Sequence, residues 1–117
     1  MDTYNKVVEA LDKTHYALKN KDELYLKYMG DFIDALKQLT NDTYKERYKH
    51  YSLNLILDVF RWTKTENITP DMLYIIRECI YTIINSAGHP GIFNSTYTDV
   101  RHYGFNIYST DKDSNNG

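Results

Sequence analysis

The chain has 117 residues, of which 42% are hydrophobic and 26% charged, a balance typical of one globular domain rather than of a disordered chain. With 14 Lys and Arg against 16 Asp and Glu, the formal net charge of −2 argues against a nucleic-acid binder that works by bulk positive charge. The single cysteine, Cys79, excludes an intrachain disulfide, and the 12 tyrosines predict packing layers that are partly wet.

The beginning of the chain and its hydropathy bear on its location. Met1-Asp2-Thr3-Tyr4 has neither the basic start nor the apolar stretch of a signal peptide. No window approaches the roughly 20 apolar residues of a membrane span. We therefore expect a cytoplasmic protein that does not insert into the membrane.

Two amphipathic helices are predicted in the first third of the chain. The first runs from Thr3 to Asn20, with an apolar stripe at helical spacing of Tyr4, Val7, Val8, Leu11, His15 and Leu18. The second starts at about Asp22, with a stripe of Tyr25, Tyr28, Met29, Phe32, Leu36 and Leu39. Gly30 lies inside it, and a close helix crossing would explain a glycine there. The polar cluster 40–43 either ends this helix or marks a kink in it.

A third helix is predicted from Tyr44 to Trp62. Its first part carries three tyrosines on one face with basic residues between them: Tyr44, Lys45, Arg47, Tyr48, Lys49 and Tyr51. Aromatic and basic side chains together are typical of a nucleic-acid surface, but a tyrosine stripe is more often packing, which we favour. From Leu53 onward the sequence is nearly continuously apolar, which predicts the centre of the core there.

The fourth predicted helix has the clearest ends. Thr69 can cap it, Pro70 suits its first position, and Asp71 favours the positive end of the helix dipole. Its apolar stripe is Leu73, Ile76, Ile80, Ile83 and Ala87, and Cys79 is interpreted as a buried structural thiol. Gly88 is predicted to take the left-handed conformation, and Pro90 prevents the helix from continuing.

The C-terminal part differs in composition. Residues 89–108 hold glycines around isolated aromatic residues, and Tyr103, Phe105 and Ile107 alternate as in a strand. We expect this segment to lie extended across the helices, and residues 109–117 to form a disordered polar tail. The chain is thus predicted to be all-α, with one helical-bundle domain over residues 1–108. Of the 12 tyrosines, we expect the first nine, from Tyr4 to Tyr81, to fill seams between helices and the last three to anchor or present the C-terminal segment.

The sequence holds no catalytic constellation. The four histidines, at positions 15, 50, 89 and 102, have no metal-binding spacing, and one cysteine cannot complete a zinc set. No glycine-rich phosphate loop or nucleophile elbow is present. A carboxylate in an apolar stretch, Asp58 or Glu78, could form a partly buried structural ion pair with Arg61 or Arg77. We expect a protein that is not an enzyme and has no metal and no cofactor.

An ordered set of motifs in the second half resembles the enterocin A immunity family. The set comprises Thr69-Pro70-Asp71 before an apolar helix, then Ser86-Ala87-Gly88-His89-Pro90-Gly91-Ile92-Phe93 and Tyr97-Thr98-Asp99. Members protect producers of pediocin-like bacteriocins from their own toxin. The resemblance covers residues 52–99, whereas the first half matches only in the order of its amphipathic helices. The sequence around Tyr44 to Tyr51 and the tail from Asp111 to Gly117 depart from the family pattern.

The resemblance implies a cytoplasmic, antiparallel four-helix bundle, which we expect to be a monomer. It implies that the protein acts by binding the complex of toxin and receptor, the mannose phosphotransferase permease, from the cytoplasmic side. The C-terminal half would set which toxin is resisted, which makes these residues candidates for partner binding: Ile92, Phe93, Tyr97, Asp99, Arg101, Tyr103 and Phe105. The alternative is a small helical regulator or phage inhibitor that binds a protein or nucleic acid.

Overall fold

The computed structural model describes residues 2–102, and helices occupy most of that range. The elements are α1 (Asp2–Lys19), α2 (Tyr25–Asp42), α3 (Arg47–Trp62), α4 (Pro70–Asn85) and α5 (Gly91–His102), with a 3-10 turn at Thr65–Asn67. Within residues 2–102 there is no strand, so the all-α prediction is confirmed for this part of the chain. In the same range no helix combines the length and apolar character needed to cross a bilayer.

A short connection joins α1 to α2. The helix α1 ends just before Asn20, as predicted, and the Asn20 side chain donates a hydrogen bond to the Tyr16 carbonyl at 2.8 Å. Lys21 takes the left-handed conformation with φ of 56°. The Asp22 carboxylate accepts the Leu24 N–H at 3.0 Å, so Asp22 belongs to the turn, and α2 starts three residues later than predicted.

The polar cluster at residues 40–43 ends α2 and does not merely kink it. The Thr43 hydroxyl donates to the Thr40 carbonyl at 3.0 Å, and the next helix begins only at Arg47. His50 Nδ1 donates to the same Thr40 carbonyl at 2.8 Å and so ties α3 to the end of α2. Residues 44–46 consequently lie outside the third helix, in which they were predicted.

The ends of α4 follow the sequence closely. The Thr69 hydroxyl accepts the Met72 N–H at 3.2 Å, and Pro70 occupies the first turn. Gly88 has a φ of +73°, as predicted for a left-handed position. The helix itself ends at Asn85, since the Ser86 backbone is extended, and the Ser86 hydroxyl donates to the Ile83 carbonyl at 2.8 Å. Ala87 is therefore exposed and outside the stripe that it was predicted to continue.

The core lies around α3, as expected. Leu53 and Ile56 are fully buried, and Phe60 meets Phe32 of α2 edge to face with ring centroids 5.1 Å apart. The helix α3 packs against α2, α4 and α5, while α1 packs against α2 and α4. Each of the five helices turns an apolar stripe inward, which is why burial can outweigh the weak helix propensity of the isoleucines in α4.

The predicted extended segment is wrong for residues 91–102, which form α5. Ile92, Thr96 and Val100 are spaced at i, i+4 and i+8, and all three are buried. That spacing gives a helix one continuous inward face, which stabilises it despite its glycine and β-branched residues. The strand-like alternation at residues 103–108 and the tail at residues 109–117 lie outside the described residues.

Two smaller expectations are also wrong. The first nine tyrosines were expected to fill seams between helices, but five of them are exposed: Tyr16, Tyr44, Tyr51, Tyr74 and Tyr81. Their hydroxyl groups let them remain in water, so helical spacing alone does not predict their burial. Gly30 does not mark a close helix crossing, because a Cβ built there would meet no atom within 4 Å.

Candidate partner-binding surface

The helix α5 carries all five of the described residues predicted to bind a partner, and it packs against α3 and α4. Its inward face is formed by Ile92, Thr96 and Val100. The buried Thr96 hydroxyl donates to the Ile92 carbonyl at 2.8 Å, which satisfies its polar group within the helix. Because its inward face is packed in this way, α5 holds the residues of its outward face in fixed positions.

The predicted site residues divide between the core and the surface. Ile92 is only 7% exposed, so its side chain serves packing. Phe93 and Tyr97 are half-buried and pack against the core, whereas Asp99 and Arg101 are exposed. Tyr103 and Phe105 lie outside the described residues. The surface of α5 that a partner could contact is therefore built from Asp99, Arg101 and the outer edges of Phe93 and Tyr97, and we call it the α5 surface.

An aromatic and a cationic side chain contact each other across one turn of α5. The Arg101 guanidinium donates to the Tyr97 hydroxyl at 3.2 Å, and it lies 5.7 Å from the centroid of the Tyr97 ring. The i, i+4 spacing of the two residues places them side by side. Tyrosine and arginine are the side chains enriched in binding hot spots, so this pair suits recognition.

The neighbouring seam between α4 and α5 holds the cysteine. Cys79 is buried, as predicted, and its thiol points at the Asp99 carboxylate with Sγ 4.0 Å from Oδ2. Burial, together with the nearby Asp99 and Glu78 carboxylates, raises the pKa of the Cys79 thiol to about 12. A thiol that stays protonated is a poor nucleophile, so this arrangement favours a structural role.

The tyrosine and basic stripe near the start of α3 is only partly packing. Tyr48 is half-buried, but Tyr44 and Tyr51 are exposed, so the packing interpretation is wrong for those two. The Arg47 guanidinium lies 5.7 Å from the ring centroids of both Tyr48 and Tyr51. Lys49 is turned inward, with Nζ 3.1 Å from the Ile84 carbonyl. The stripe therefore has exposed aromatic rings at Tyr44 and Tyr51, but Lys49 does not contribute a cation to its surface.

The ion pairs differ in part from the prediction. Asp58 pairs with Arg61 within α3 at 3.1 Å, which is one of the predicted combinations, but the pair is exposed and not partly buried. Arg77 pairs instead with Asp12 of α1, with Nε 3.0 Å from Oδ1. This contact between distant parts of the sequence could not be read from spacing. No group of three potential metal ligands occurs among residues 2–102.

A second exposed surface was missed by the sequence analysis. Tyr74, Arg77 and Tyr81 lie at i, i+3 and i+7 on α4, and both tyrosines are more than half exposed. Tyr16 on α1 is 70% exposed. The spacing of Tyr74, Arg77 and Tyr81 was visible in the sequence, but only their exposure distinguishes such a row from a packed stripe.

Comparisons with known proteins leave the family of this chain open. No family model, no curated protein and no solved structure matches it.

Proposed function

We propose that the chain is a bacteriocin immunity protein, which protects its cell by binding the complex of a pediocin-like toxin with its receptor, the mannose phosphotransferase permease, from the cytoplasmic side. In this proposal it acts by binding alone, as a monomer, without catalysis, cofactor or nucleic acid. The observation that carries it is the ordered set of motifs from Thr69 to Asp99.

The geometry of that region supports the proposal. The Thr69 cap forms, Gly88 takes the positive φ that its place in the motif requires, and the residues after it form α5. The Gly-Ile-Phe step seats Ile92 in the core. The later Tyr-Thr-Asp step leaves Asp99 exposed on the α5 surface, where a partner can reach it.

We further propose that α1 to α4 form an antiparallel four-helix bundle, with α5 packed on α3 and α4. Two hydrogen bonds support this arrangement, since each joins the start of one helix to the end of another. His50 near the start of α3 bonds to Thr40 at the end of α2, and Lys49 reaches the Ile84 carbonyl near the end of α4. The helices α1 and α4 also contact each other, which closes the ring.

The test is protection of a sensitive strain that expresses the full chain. We expect survival in the presence of one or a few pediocin-like toxins. Loss of the exposed charges in the double variant Asp99→Asn with Arg101→Ala should abolish protection, because both residues belong to the α5 surface. A matched control is Lys37→Ala, which removes a charge at an exposed position of α2. This variant should protect as well as the unchanged chain.

A truncation can test the remaining candidates. Cutting after Gly91 would remove Ile92 and Val100 from the core, so loss of protection could then reflect unfolding. Cutting after His102 removes only Tyr103, Phe105 and the residues beyond them. If protection survives both this truncation and the Asp99/Arg101 double variant, then neither the exposed charges of the α5 surface nor residues 103–117 recognise the partner.

A second candidate function, a regulator or phage inhibitor that binds nucleic acid, rests on the exposed Tyr44 and Tyr51 beside Arg47. Exposed rings near a guanidinium can stack on bases. Retention on a single-stranded DNA or RNA column, lost as salt is raised, would favour it. Absence of binding at low salt would remove it.

A further inference from the structure

The surface formed by α1 and α4 carries exposed aromatic side chains that the core does not use. Tyr74 and Tyr81 of α4 are 57% and 54% exposed, and Tyr16 lies on α1 four residues after Asp12. The Asp12–Arg77 ion pair crosses between the two helices. We call the surface made of these five residues the α1–α4 face. Tyrosine and arginine are enriched where proteins bind other proteins, and four of these five residues are of those two types, which favours an interface.

A cleft opens in the middle of the α1–α4 face. Its volume is about 180 Å³, and it is lined by Leu11, Asp12, His15, Leu73, Tyr74 and Arg77. Leu11 and Leu73 are almost completely buried, so the cleft has an apolar floor and a polar rim. Pockets for small molecules usually hold about 300–1,000 Å³, so this cleft is better suited to one aliphatic or aromatic side chain.

The charges of the α1–α4 face point to a basic partner. The Arg77 guanidinium is already engaged by Asp12, while Asp71 and Glu78 lie exposed on the same side of α4. Lys13 and Lys19 are both three residues from Tyr16, but Lys13 pairs with Glu9 and lines a different cleft, between α1 and α2. The carboxylates Asp12, Asp71 and Glu78 therefore outnumber the cations Arg77 and Lys19 on this face.

The environment of Tyr4, at the edge of the α1–α4 face, agrees with this charge balance. Burial raises the pKa of the Tyr4 hydroxyl, Arg77 lowers it, and Tyr81, Glu78 and Asp12 raise it. These groups must therefore lie close enough to act on one hydroxyl. Exposed tyrosine rings add attraction for lysine and arginine side chains.

We propose that the α1–α4 face binds a lysine-rich amphipathic helical segment of a partner protein. One apolar side chain of that segment sits in the cleft above Leu11 and Leu73, and its lysines lie over Tyr74 and Tyr81 and beside Glu78. An anionic membrane fits less well, because the carboxylates of this face would repel it. This binding is separate from the α5 surface and does not depend on the immunity function.

The test titrates the full, isotope-labelled chain with a synthetic leucine–lysine amphipathic peptide and with its leucine–glutamate counterpart. We expect saturable NMR shift changes centred on Leu11 and Leu73 with the lysine peptide and none with the glutamate peptide. Tyr74→Ala and Tyr81→Ala should each weaken the affinity by about tenfold. Tyr51→Ala removes a similarly exposed tyrosine from α3 and should leave the affinity unchanged.

Several results would overturn the proposal. The lysine peptide could fail to bind, could shift residues away from the cleft, or could bind the Tyr74 and Tyr81 variants as tightly as the Tyr51 variant. Binding to anionic vesicles in preference to the peptide would assign the face to a membrane instead. Thermal unfolding checks that each variant is folded. If a tyrosine variant does not fold, Glu78→Gln provides an independent test, because it removes one exposed charge and should weaken binding of the lysine peptide.

Discussion

Two glycines allow the same substitution to be tested with opposite expected signs. Gly30 lies inside α2, is exposed, and would give a new Cβ no neighbour within 4 Å. Gly88 also has open space around its Cβ position, but its φ is +73°. Because neither site is sterically crowded, the two variants isolate backbone preference from packing.

The magnitudes follow from backbone conformation. Gly30→Ala should stabilise the protein by about 0.5–1 kcal/mol, since alanine has the higher helix propensity and loses less backbone freedom on folding. Gly88→Ala should destabilise it by about 1–2 kcal/mol, because a Cβ is disfavoured in the left-handed region. For a domain of this size, Gly30→Ala should raise the Tm by about 2–8 °C.

Urea and thermal unfolding followed by circular dichroism measure both effects. If Gly30→Ala destabilises the chain, then residue 30 is in close contact with another part of the molecule, and the described packing of α2 is wrong. If Gly88→Ala changes nothing, then the turn before α5 does not have a left-handed residue at position 88.

Three further predictions concern a cap, a thiol and a surface. Thr69→Ala should cost about 1 kcal/mol in urea unfolding, because the Met72 N–H loses its partner; no change would mean that the cap does not form in solution. Cys79 should react with a thiol reagent at pH 8 only after unfolding, and rapid labelling of the folded chain would contradict its burial. Because folding raises the pKa of Cys79 from 9.0 to about 12, its contribution to stability is complete below pH 9 and is lost as the pH rises towards 12. The chain should bind anionic vesicles weakly in a sedimentation assay, since none of the helices between residues 2 and 102 is strongly basic on one face, and strong binding would contradict this.

The parts of the fold that were predictable carry their signal within a few neighbouring residues. Thr69 and Pro70 mark the start of α4 because a cap and a fixed φ act locally. Gly88 marks the turn because few other residues tolerate its φ. The apolar run from Leu53 likewise predicts burial on most sides of α3, which the structure confirms.

The parts that were missed depend on tertiary contacts. The spacing of Ile92, Thr96 and Val100 allows a helix, but the surrounding residues have weak helix propensity, so the sequence alone does not indicate one. The helix is stabilised by burying these three side chains against α3 and α4. The partner of Arg77 lies 65 positions away in the sequence, so no local pattern indicates it. The exposure of Tyr74 could not be predicted from the sequence either, since tyrosine occurs both between packed helices and on solvated surfaces.

The same limit applies to the candidate site. The sequence treats Ile92 and Asp99 alike as candidates, although Ile92 faces the core and Asp99 faces solvent. Only packing separates residues that hold α5 in place from those that a partner can touch.

The most direct test of the proposed function is a growth assay with a panel of pediocin-like toxins on a sensitive strain that makes the full chain. We predict that growth persists with at least one toxin that kills the same strain carrying an empty vector. If the folded chain accumulates in these cells and every toxin of the panel still kills them at the vector-control concentration, the immunity function is contradicted.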